Sequence, residues 1–107
     1  MNTREYIAKS RRVREHAAEL RTLAIDMQLI TGFTWCRVVE TELLFGHVAE
    51  AENLLAYLGH SVHSISKHLN EPRHVTESEL PSLQNRLRAL ESEIRNIKTR
   101  LERSSRY

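Results

Sequence analysis

His60 and His63 stand three residues apart, a spacing that on one helix face can present two imidazoles to a single metal ion. Such a pair needs a third or fourth ligand from elsewhere and partners that orient the rings. Helical bundles supply these with Glu-x-x-His pairs, and the one such spacing here is Glu71-Pro72-Arg73-His74. Pro72 interrupts it and the surrounding composition is that of a loop, so the sequence predicts surface histidines, no metal and no cofactor. Cys36 is the only cysteine, which excludes an intrachain disulfide. Placed in the first turn of a helix its thiol would be acidified by the helix dipole, but no base lies within reach on that helix. Beside Trp35 it reads as a buried, inert thiol. There is no glycine-rich phosphate loop, no G-x-S-x-G and no H-E-x-x-H, so no catalytic residues are assigned and the chain is expected not to be an enzyme.

The remaining chemistry lies in the charges. The net charge of +2 conceals a division along the chain. Residues 1–31 hold six Lys and Arg against four acids, residues 32–79 three against seven, and residues 80–107 seven against three. Arg4, Lys9, Arg11, Arg12 and Arg14 cluster at one end, and Arg95, Lys98, Arg100, Arg103 and Arg106 at the other. Such blocks can contact phosphates, which makes a small nucleic-acid-associated regulator the alternative function, with Arg11, Arg12, Arg14, Lys98, Arg100 and Arg103 as its contacts. Neither block carries aromatic platforms for stacking bases.

The elements that would position these residues are helices. At 107 residues, with three glycines and two prolines, the chain suits one all-α domain and lacks the turn residues of a many-stranded fold. Its longest apolar runs fall far short of the ~20 residues of a membrane-spanning helix, and MNTREYIAKSRR lacks the apolar core of a signal peptide. A cytoplasmic location without membrane contact is expected.

Asn2 and Glu5 form a capping box, and Tyr6, Val13, Leu20 and Met27 recur every seven residues with Ala17, Leu23, Ala24 and Ile30 between them. Gly32 sits where a left-handed residue would end this helix, and Thr34 can cap the next. From there Leu44, Val48, Ala51, Leu55, Leu58, Val62, Ile65 and Leu69 alternate four- and three-residue steps up to the stop at Pro72. The last helix carries Leu80, Leu83, Leu87, Leu90, Ile94, Ile97 and Leu101 between polar shoulders. The predicted helices are 3–31, 34–70 and 79–103, forming an antiparallel three-helix bundle with long helices and coiled-coil-like seams.

Laid antiparallel, the second and third seams match Leu69 to Leu80 and Val48 to Leu101, so the second helix overhangs the third by more than ten residues. That overhang carries Trp35, Val38, Val39, Leu43 and Phe45, an apolar surface that must be covered. A symmetry mate would cover it, predicting a homodimer through this region, aided by the small residues Gly59, Ser61 and Ser66. The alternative is a break at Gly46, which would fold 34–45 back as a fourth helix. Trp35, Val38, Gly46, Ala51 and Leu55 are spaced in a way that resembles a tetratricopeptide repeat over about a third of the chain. That resemblance implies a helical break at Gly46 and a peptide-binding role. Val39 and Glu42 depart from its pattern, its closing proline is missing, and no second copy follows. The expected function is that of a non-enzymatic helical interaction or scaffold protein, associating with itself or with a partner helix.

Overall fold

The computed structural model describes residues 2–72 and 74–105. It is an all-α three-helix bundle, with every pair of helices in contact. The helices are α1 (Thr3–Leu44), α2 (Val48–Asn70) and α3 (Leu80–Ser105). None of the described helices is long and apolar enough to cross a membrane.

The helix boundaries correct the sequence reading in two places, and both corrections turn on a glycine. Helix α1 does not stop at residue 31 but passes through Gly32, which is buried against α3. A Cβ at Gly32 would lie 2.7 Å from Leu90 Cδ2, so the missing side chain serves close packing and not a left-handed cap. Thr34, expected as an N-cap, is inside the helix and donates its Oγ1 hydrogen bond to the Ile30 carbonyl at 3.1 Å. The true break is at Gly46, whose φ is +77°. His47 N–H donates to Glu42 O at 2.8 Å and Gly46 N–H to Leu43 O at 3.1 Å, the paired bonds of a Schellman ending. The segment 34–45 therefore belongs to α1, and neither the continuous helix 34–70 nor a fourth helix forms.

A three-residue turn makes α1 and α2 antiparallel. Helix α3 runs parallel to α1 at a constant offset: Arg86 pairs with Asp26, and Arg100 with Glu40 at 2.9 Å. The core is lined from α1 by Ile25, Leu29, Cys36 and Val39, which step by four, seven and three residues with Gly32 in the gap. Helix α2 contributes Ala51, Leu55, Leu58, Ile65 and Leu69, and α3 contributes Leu83, Leu87, Leu90, Ile94 and Ile97. The α3 seam is thus the core stripe that its pattern indicates, with Leu80 and Leu101 partly buried at its ends. The second seam is shorter than expected, because Leu44 is 87% exposed at the turn.

The loop 71–79 closes the bundle by fastening itself to α1. Val75 is buried, Thr76 N–H donates to Thr22 Oγ1 at 2.9 Å, and Arg21 Nε donates to the His74 carbonyl at 2.6 Å. Thr76 is thereby fastened to α1 through both its N–H and its hydroxyl, while its carbonyl accepts from the N–H groups of Glu79 and Leu80 at the start of α3. Since Asn70 ends α2 level with Thr22, residues 3–20 of α1 extend beyond α2 as a helical arm of ~27 Å, whose Arg11, Arg14, Glu15, Ala18 and Glu19 line an open pocket with Val75, Thr76 and Glu77 of the loop. The longest dimension of the molecule, 72 Å, reflects this arm.

Candidate functional site

Helix α1 has two apolar faces. One lies in the core. The other carries Tyr6, Val13, Leu20 and Met27, which are 66%, 68%, 54% and 59% exposed, with Leu23 and Ile30 beside them. The heptad pattern of the first helix thus describes an outward surface. Four residues after each large side chain comes a small one: Ser10, Ala17, Ala24 and Thr31. Alternating large and small residues in heptad register let a second helix approach closely. Continuing the same register reaches Thr34, Val38, Thr41 and Phe45, so the face extends along almost the whole of α1.

The five residues proposed for the interface separate on this geometry. Val38 and Phe45 lie on the outward face, and Phe45 is 72% exposed. Trp35 and Leu43 pack against the core, and Trp35 meets Tyr57 of α2 edge-on at a ring-centroid distance of 6.4 Å. Val39 is fully buried and is a core residue, so a charge placed there would attack the fold and not an interface. The reason is the break at Gly46: it turns α2 back along 34–45 and covers the supposed overhang. The segment that extends beyond α2 is instead the arm, 3–20, whose residues from Arg11 onward face the loop. The small residues of α2 have another role here, as Ser61 and Ser64 line a shallow groove with Met27, Gln28, Thr31 and Trp35.

Charge is distributed unevenly along α1 and across the turn. The arm carries Arg4, Lys9, Arg11, Arg12 and Arg14 against Glu5, Glu15 and Glu19. At the other end of α1 and across the turn, residues 38–53 carry Glu40, Glu42, Glu50 and Glu52 with no Lys or Arg. Glu42 accepts from the His47 ring at 2.7 Å, while Glu50 and Glu52 are exposed.

The basic clusters do not meet. Arg11, Arg12 and Arg14 sit on the arm, whereas Lys98, Arg100 and Arg103 sit near the end of α3, level with the far end of α1. About 26 helical residues, ~39 Å, separate the two groups. Arg100 is also engaged with Glu40. Arg106 lies outside the described residues.

Cys36 is in the middle of α1, far from a helix start, and 2% exposed. Burial pushes its thiol up to about 11, and the Glu93 and Glu40 carboxylates add to the shift. That environment suppresses the thiolate a nucleophile needs. His60 and His63 are both exposed on α2. A different trio is gathered where α2 enters the loop: His68, Glu71 and His74 present one ligand atom each, all within 4.8 Å of one another. The sequence signal was present in the spacing H-x-x-E-x-x-H, but Pro72 argued against a helical pair. The loop's fastening to α1 gathers the residues without a helix.

Comparison with known protein families, with curated proteins and with solved structures returns no match.

Proposed function

We propose that this chain is a non-enzymatic helical interaction protein that self-associates through the outward face of α1, two copies lying antiparallel. The observation that carries the reading is the heptad of exposed large apolar residues Tyr6, Val13, Leu20 and Met27, continued on the same face by Thr34, half-buried Val38, Thr41 and exposed Phe45. A strip ~58 Å long and ~12 Å wide covers roughly 700 Å², near the ~800 Å² per partner of a standard interface. An antiparallel arrangement brings each basic arm towards the 38–53 region of the other copy, where Glu50 and Glu52 are exposed while Glu40 and Glu42 are engaged by Arg100 and His47. A parallel one would stack the two basic arms on each other.

Light scattering on size-fractionated protein tests this. Wild type is expected to be dimeric at micromolar concentration, and Leu20→Glu/Met27→Glu to be monomeric with the bundle's helical signal retained, because both residues are exposed. A monomeric wild type, or a dimer that persists in the double variant, would overturn the proposal.

A further inference from the structure

The trio His68, Glu71 and His74 lies apart from the outward face of α1 and has a chemistry of its own. We infer that these three residues form a binding site for a single divalent metal ion of the zinc class, with water completing the coordination.

The donor set comes first. Two imidazoles and one carboxylate are the nitrogen and oxygen ligands of three-residue zinc sites, which keep a position open. With metal–ligand bonds of ~2.0–2.2 Å, tetrahedral geometry places neighbouring donor atoms ~3.4 Å apart. The edge from His74 Nδ1 to Glu71 Oε2 is already 3.1 Å, and every edge of the triangle is within 4.8 Å. Closing the triangle therefore brings donors that are already near one another together by rotation about the side-chain bonds, including a turn of one imidazole ring.

Second, His68 Nδ1 is buried with no hydrogen-bond partner, the only such side-chain atom found among the described residues. A buried ring nitrogen without a partner costs free energy, and a metal ion is a partner that a bare imidazole lone pair accepts. The His68 and His74 rings stack at 4.9 Å between centroids with 17° between planes. A metal ion lies in the plane of each ring it binds, so ligation turns one imidazole out of this stack.

Third, the backbone around the site is held. Arg21 Nε donates to the His74 carbonyl, Thr76 is bonded to Thr22, and Val75 is buried between them. His68 lies in the last turn of α2, where the unpaired carbonyls of the helix end favour a cation.

The test uses untagged full-length protein titrated with zinc chloride by calorimetry, with cobalt(II) absorption reporting coordination. Wild type is expected to bind one equivalent per chain, to gain thermal stability with zinc, and to give a tetrahedral cobalt spectrum. Glu71→Gln and His74→Gln are expected to weaken zinc at least tenfold, by about the loss that even supporting partners cause. Glu71 is exposed, so its variant reports on binding without threatening the fold. His60→Gln/His63→Gln should bind as wild type does. Leu20→Glu/Met27→Glu should also bind one equivalent per chain, which separates this site from self-association. Absent stoichiometric binding in wild type, unchanged affinity in Glu71→Gln and His74→Gln, or loss of binding in either of the other two variants would overturn the assignment.

Discussion

Replacing Gly32 by alanine probes the packing that lets α1 run through the bundle. In an exposed helix the change would gain ~1 kcal/mol from helix propensity. Here the new Cβ would stand 2.7 Å from Leu90 Cδ2 and 3.4 Å from Cδ1. Carbon atoms settle at ~3.5–4.0 Å, so Leu90 must retreat by about 1 Å. Leu90 is fully buried and has no free space to retreat into. Overpacking of this kind costs about 1–3 kcal/mol, leaving Gly32→Ala destabilising by about 1 kcal/mol net. Leu90→Ala alone should cost about 3–4 kcal/mol through the lost burial and the cavity. In that background the obstruction is gone and the alanine methyl enters the cavity, so Gly32→Ala should stabilise by about 1 kcal/mol. The sign reversal corresponds to a coupling of about 2 kcal/mol, well above the ~0.5 kcal/mol scatter of independent sites. Urea unfolding followed by far-UV circular dichroism, at one fixed protein concentration because association shifts apparent stability, measures all four corners. Had Gly32 been a left-handed helix end, alanine would cost a similar amount in both backgrounds. That outcome would refute the close-packing argument.

Gly46→Ala should lose about 1–2 kcal/mol in the same assay although nothing lies within 4 Å of its Cβ, because the cost is the positive φ, and Gly46→Asn should recover part of the loss. Cys36 should resist thiol reagents near neutral pH in the folded protein and react once urea unfolds it; equal rates in both states would contradict its burial. Its thiol is held at about 11 against 9.0 for a free thiol, so the folded state retains the proton longer. The associated stability is whole below about pH 9 and is lost as the pH rises towards about 11, by roughly 2–3 kcal/mol at the top of that window. Wild type should therefore lose melting temperature across it more steeply than Cys36→Ala does.

The number of helices and the core stripe of α3 were legible because a polar-shouldered heptad admits one orientation. The punctuation between α1 and α2 was not. Gly32 and Gly46 are equivalent as letters, and each can end a helix or be absorbed in one. What separates them is tertiary: Leu90 fills the space beside Gly32, and only a glycine lets α3 come that near. At Gly46 the deciding feature is the pair of Schellman bonds from Gly46 and His47, made by backbone groups that sequence does not mark. An interior glycine costs a helix only ~1 kcal/mol, so propensity alone assigns the break to neither.

The outward face of α1 shows the same limit from another side. Its heptad was plain in Tyr6, Val13, Leu20 and Met27, but periodicity reports that a face is apolar and not what it meets. The core stripe Ile25, Leu29, Gly32, Cys36 and Val39 includes a glycine and a cysteine and lies on the opposite side. With both faces present, the helix reads as broadly apolar and weakly amphipathic, and the stronger-looking stripe is the one left outside. The charges bear on the proposed self-association in a way the apolar residues do not. A core-facing stripe has no use for a basic arm at one end and an acidic turn at the other, whereas an antiparallel pair of copies brings them together. Within one copy Arg100 of α3 already answers Glu40, so in the proposed antiparallel pair it is the exposed Glu50 and Glu52 that the basic arm of the other copy would meet.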